Sequence, residues 1–139
     1  MRSDTIALSS IFIEDGVFKK IVATKNYAEY LKCEVTGSST NLVVSPGNKT
    51  YEELLEDGDI IASSFSSFTP NGVTGAFSGE IRNAKLYTGG QYIPIKGGSV
   101  TGVMTEAMKE VYFSKEMLQT GKYFGPKYIK VCNVDVTGE

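Results

Sequence analysis

The sequence contains no histidine. That absence excludes, within this chain, a Ser-His-Asp or Cys-His arrangement, an HExxH zinc helix and a histidine general base. Cysteine is sparse: Cys33 and Cys132 stand in a chain long enough to carry its own core, where two thiols are read as buried and free rather than as a disulfide framework. No apolar run approaches the roughly 18 residues that a membrane-spanning helix requires. The opening MRSDTIALSS has too short an apolar stretch for a signal peptide or targeting helix. Asn48-Lys49-Thr50 is a glycosylation sequon only in a secreted chain, which nothing else in the sequence supports, so the expected location is the cytoplasm. Basic excess is missing too: a net charge of -2 leaves no electrostatic footprint for nucleic acid or an anionic membrane.

What remains is an ordinary globular composition, 41% apolar and 22% charged over 139 residues, read as a single domain spanning residues 1–139. A chain of this size buries roughly two thirds of its unfolded surface without covalent staples. The 15 glycines predict many turns.

Along the chain, Ser9 to Lys25 reads as a hairpin about Glu14-Asp15-Gly16, because Asp-Gly tolerates the positive φ of tight turns. Tyr27, Tyr30 and Leu31 share one helical face in a short helix over Lys25 to Cys33, and a polar loop follows. NLVVSPG is a compact strand ended by Ser45-Pro46-Gly47. Thr50 and Glu53 then form a capping box that starts a helix ending near Glu56-Asp57-Gly58. Ile60 to Phe68 is a strand, Thr69 to Gly75 a loop, and Ala76 to Lys96 two strands about Thr88-Gly89-Gly90. Met104 to Leu118, with Met104, Met108, Val111 and Tyr112 on one face, predicts the longest helix, and Tyr128 to Gly138 a closing strand. The predicted class is α+β: strand-rich, mostly antiparallel, sandwich- or barrel-like, with about three short helices.

Few residues offer chemistry. Glu52, Glu53, Glu56 and Asp57 are dense in carboxylate, but on a solvated helix they read as capping and surface charge rather than as an acid/base pair. Neither GGQYIPIKGG nor SPGNKT fits a phosphate-binding glycine pattern. The 8 tyrosines and 7 phenylalanines, including those interleaved with lysine between Ser114 and Lys130, read as core packing. The stretch Gly89 to Gly102 stands out, since it places an alternating apolar run containing Pro94 between two glycine pairs. A proline cannot donate to a ladder, so this run belongs at a sheet edge or bulge.

Taken in order, DGVFKKIVATKNYAEYLK, VTGSSTNLVVSPGNKTYEELLEDG, TGAFSGEIRNAKLYTGGQYIPIKGGSVTGVMTEAM and the terminal PKYIKVCNVDVTG resemble the C-terminal domain of the TldD/PmbA family, peptidases once called modulators of DNA gyrase. The similarity runs from about Ser9 to Gly138. It implies a C-terminal scaffold and peptide-cleft domain of a cytoplasmic metallopeptidase, dimeric with another TldD/PmbA-family subunit, acting on unfolded peptides and non-catalytic in isolation. The family's zinc is held by two histidines of an upstream HExxxH helix and by one cysteine of this domain, so zinc is expected only in a complete catalytic subunit. Here the HExxxH is absent, the place of the family cysteine falls near Thr120-Gly121, and Cys132 lies in the following strand, with a core role favoured over metal binding. No catalytic and no cofactor-binding residue is assigned. The resemblance makes Tyr92, Pro94, Lys96, Gly97 and Gly98 candidates for a peptide-binding edge or a dimer contact, by β-augmentation. The alternative is a stand-alone protein-interaction module, a gyrase modulator or toxin-antitoxin regulator.

Overall fold

The computed structural model describes residues 10–38 and 40–138, so the N-terminal stretch read against a targeting signal lies almost wholly outside the described residues. The chain forms two compact units, Met1–Leu42 and Val43–Glu139.

The first unit carries the hairpin of β1 (Ile13–Glu14) and β2 (Val17–Phe18) and the helix α1 (Lys25–Leu31). Asp15 and Gly16 both take positive φ, 50° and 74°, as the twist of a two-residue hairpin turn demands. Thr36 ties the loop after α1 back to the irregular chain before it. Its Oγ1 accepts from the Ala23 amide at 2.8 Å and donates to the Ile21 carbonyl at 2.7 Å. Ala23 and Ala28 are buried, whereas Tyr30 is 84% exposed and Tyr27 and Leu31 are exposed with it. The helix therefore seats on its small residue, and the aromatic face expected from spacing is left open.

The second unit is built on strands. The boundary falls within β3 (Leu42–Val43), after which the Val44 amide donates to the Phe124 carbonyl at 2.9 Å. α2 (Tyr51–Leu54) opens on the expected capping box: Thr50 Oγ1 accepts from the Glu53 amide at 3.3 Å and Glu53 Oε2 from the Thr50 amide at 2.7 Å. This hydrogen bonding holds the Glu53 carboxyl below its ordinary value of 4.5. The helix is shorter than expected, ending at Leu54, because Glu56 and Asp59 turn away to bind Lys130.

Next come β4 (Ile60–Pro70), β5 (Ala76–Thr88), β6 (Gln91–Lys96) and β7 (Ser99–Val103), all in one antiparallel sheet. β4 flanks one side of β5, with bulges between Ala62 and Ser67. β6 and β7 share the other side in one continuous register, since Asn83 faces Lys96 and Glu80 faces Ser99. Beyond β7 the last strand, β12 (Asp135–Thr137), completes the sheet. Among the described residues β4, β6 and β12 remain as edges, so the sheet stays open and the barrel option does not hold.

The segment expected as the longest helix is the main correction. Only α3 (Met104–Ala107) is helical. It is followed by β8 (Val111–Phe113) and β9 (Met117–Thr120), which pair respectively with β11 (Ile129–Val131) and β10 (Tyr123–Pro126). Long-range ladders outweighed a periodicity that the same residues satisfy as helix or strand. The closing segment likewise divides into β11 and β12, with Cys132 in the irregular stretch between them.

Ser114, fully buried, joins these pieces: Oγ donates to the Glu116 carbonyl at 2.9 Å and accepts from the Tyr128 amide at 3.1 Å, while its carbonyl accepts from the Gly47 amide at 3.1 Å. A Cβ on Gly47 would fall 1.8 Å from the Phe113 carbonyl oxygen, a backbone atom that cannot step aside. Gly47→Ala is accordingly expected to cost about 2–3 kcal/mol or more, seen as a lower urea midpoint with an unchanged m-value.

Lys130 makes the other internal tie. Its Nζ reaches the Leu54 carbonyl at 3.0 Å, Glu56 Oε2 at 2.7 Å and Asp59 Oδ2 at 2.9 Å, with its side chain only 18% exposed. Burial alone would lower its pKa, but the hydrogen bonds and charges of Glu56 and Asp59 reverse this and raise it above 10.5. A raised folded-state pKa means the stabilisation is complete below the unfolded value and lost as pH climbs through the folded one. Lys130→Met should lower stability by about 1–3 kcal/mol at neutral pH. Equilibrium unfolding across alkaline pH should show that deficit shrinking only above 10.5.

Candidate functional site

Of the five edge candidates, Tyr92, Pro94 and Lys96 alternate along β6, and Gly97 and Gly98 follow its end. Tyr87 spends its amide on the Asp59 carbonyl at 2.8 Å and its carbonyl on the Gly58 amide at 2.7 Å, both on the β4 side. Its opposite number Tyr92 therefore has no backbone partner in β5. Antiparallel alternation then turns the backbone groups of Tyr92, Pro94 and Lys96 outward, while Gln91, Ile93 and Ile95 face β5. Pro94 thus removes a donor from the open edge and costs the ladder nothing, which is why the proline is tolerated where it stands. Among the described residues β6 has no strand on its outer side.

Gly97 and Gly98 mark where that open edge ends. Both have positive φ, 78° and 103°, and a Cβ on Gly98 would lie 2.7 Å from the Thr137 carbonyl oxygen. β12 comes in against β7 there and closes the edge from Ser99 onward. The glycine pair is a kink that divides one long strand into a free half and a covered half.

The β6 edge continues into a run of tyrosines that spacing in the sequence does not reveal. Tyr87 and Tyr92 have ring centroids 5.1 Å apart; the Tyr92 and Tyr51 hydroxyls lie 3.3 Å apart; Tyr51 and Tyr128 rings are at 4.3 Å. Burial, followed by the Tyr92 hydrogen bond, raises the Tyr51 pKa above the ordinary tyrosine value. Tyr51, Tyr87 and Tyr128 are half-buried, but Tyr92 is 47% exposed, so core packing accounts for only part of this aromatic content. The four rings come from α2, β5, β6 and the chain before β11, positions that only the fold brings together. An open groove of about 480 Å³ begins beside Tyr51 and Tyr128.

Lys96 is exposed at the end of β6. Three of the four helix-face carboxylates are absorbed by structure: Glu53 caps α2, Glu56 binds Lys130, and Asp57 Oδ1 accepts from the Gly89 amide at 2.6 Å, pinning the β5–β6 turn.

The zinc that the resemblance implies finds no complete ligand set among the described residues. There is no histidine in the chain, Thr120 ends β9 with Gly121 in the β9–β10 turn, and no group of three or more His, Cys, Asp or Glu side chains converges among the described residues. Cys132 is an exposed free thiol rather than a core residue, and Cys33, also free, is half-buried. Cys132 holds its segment by donating its amide to the Glu110 carbonyl at 3.1 Å. No helix among the described residues is long and apolar enough to cross a membrane.

Residues 7–138 match the model of the PmbA/TldA metallopeptidase C-terminal domain. The chain belongs to this family. It is also similar to the uncharacterized protein MJ0231 of Methanocaldococcus jannaschii, 30% identical over 90% of this chain and 33% of the relative. This PmbA/TldA C-terminal domain thus spans about a third of the length of that curated relative.

Partial desolvation, then the Glu110 charge, push the Cys132 thiol above its ordinary value of 9.0. Since the thiolate is the reactive form, Cys132 should react slowly with thiol reagents at neutral pH despite its exposure, accelerating only above 9.0. Stopped-flow labelling of the Cys33→Ser variant measures this directly, and added zinc should leave the rate unchanged.

Proposed function

We propose that this chain is the scaffold and peptide-cleft domain of a TldD/PmbA-type metallopeptidase, non-catalytic alone and completed by another family subunit that supplies the histidine ligands. The observation that carries the reading is the β6 edge: outward backbone groups at Tyr92 and Lys96, an outward carbonyl at Pro94, and a tyrosine run beside them. An extended peptide satisfies such an edge by strand addition, its backbone supplying affinity and alternate side chains supplying selectivity. Family membership supports peptide as the occupant and the cytoplasm as the setting.

The test is a titration of the chain with a disordered peptide and with versions N-methylated at alternate residues. Methylation in one phase should abolish binding, because it removes the amides that face β6, while the other phase is tolerated. Pro94→Val restores one edge donor and should tighten binding severalfold, equivalent to about 1 kcal/mol. Binding indifferent to both methylation phases and to Pro94→Val would remove the edge from the reading. Light scattering and metal analysis on the chain mixed with a HExxxH-bearing family subunit should show zinc only in the mixed complex.

A further inference from the structure

The groove next to the β6 edge has a chemistry of its own. Tyr51 and Tyr128 line it with Met117, Glu52, Glu116 and Lys127. Glu116 receives the Tyr51 amide on both oxygens, at 3.0 and 3.1 Å, and neither Glu116 nor Glu52 has a lysine or arginine within ion-pair distance among the described residues. Lys127 is the one cation of the lining, and its Nζ stands 5.4 Å from the Tyr128 ring centroid. Two carboxylates against one ammonium leave the groove negative, and its aromatic pair already accepts a cation on one ring.

We infer that this groove is a subsite for a basic side chain of the bound peptide, with arginine preferred to lysine. The inference rests on the reading that the β6 edge holds an extended peptide. The Tyr51 and Tyr92 hydroxyls, 3.3 Å apart, make groove and edge continuous, so a strand lying on β6 presents its neighbouring side chains to Tyr51. A guanidinium suits the site in two ways: its plane stacks on tyrosine faces, and its fork of donors matches carboxylates. An acidic side chain would meet uncompensated Glu52 and Glu116. An aliphatic one would leave both carboxylates beside an apolar group without gain.

The experiment is a fluorescence-anisotropy titration of the whole chain with disordered peptides identical except for one position, occupied by Arg, Lys, Ala or Glu. The register is scanned by moving that position along the peptide. At one register the Arg peptide should bind on the order of tenfold more tightly than the Ala peptide, with Lys between them and Glu weakest. Glu52→Gln, at an exposed position, should narrow the Arg-to-Ala ratio, and Lys127→Ala should widen it. Equal binding of Arg and Ala peptides at every register overturns the subsite while leaving the edge reading intact. An Arg preference that ignores both variants overturns it as well, since recognition then lies elsewhere. No binding of any peptide removes the edge reading and the subsite together.

Discussion

The second unit depends on β5 having a partner along both of its sides. This thirteen-residue strand pairs with β4 on one side and, in succession, with β7 and β6 on the other. A strand so placed must keep its buried positions small or branched where rings cross it. Gly79 does this, lying under Phe65 and Phe68: a Cβ there would come within 2.7 Å of Phe68. Ile81 and Ala84, on the same strand, are among the buried apolar residues of the unit. Everything that bears on binding follows from how the chain leaves β5. The Gly89-Gly90 turn returns β6 alongside it, and the Gly97-Gly98 kink lets β12 cover one half of the returning line and not the other.

Charge serves the architecture more than it serves chemistry. Glu53, Glu56, Asp57 and Asp59 lie close together in the sequence, yet each has a structural assignment: a cap, a lysine partner, a turn clamp and a second lysine partner. Glu52 and Glu116 are different, because no cation answers them among the described residues. Glu116 also holds the fold, through the Tyr51 amide, but its charge stays unanswered, and Glu52 has neither a cation nor a structural hydrogen bond among the described residues.

Much of the local structure was legible because short-range geometry decides it. Asp15-Gly16 and Gly89-Gly90 define their turns through positive φ, and Thr50 with Glu53 defines a helix start through two reciprocal hydrogen bonds three residues apart. Pro94 announced an edge because the missing donor is a property of the residue itself. Met104 to Leu118 misled for the opposite reason. Its apolar spacing is compatible with helix, but Val111 to Phe113 and Met117 to Thr120 gain more from ladders with chain still to come. The same kind of local pattern puts Cys132 in a strand, whereas the break between β11 and β12 leaves it in the open.

The order of segments by itself determined the family, the strand-rich class and the absence of a histidine-based site, since these depend only on which residues occur and in what succession. Tertiary structure decided where the candidate surface lies. Tyr51, Tyr87, Tyr92 and Tyr128 are separated by as many as 77 positions, and no periodicity connects them. They meet because β5 and β6 pair through a two-residue turn, and because the Glu116 carboxylate receives the first amide of α2 beside Tyr128. Pairing between distant strands carries no local signature, so a surface assembled by such pairing becomes visible only in the folded chain.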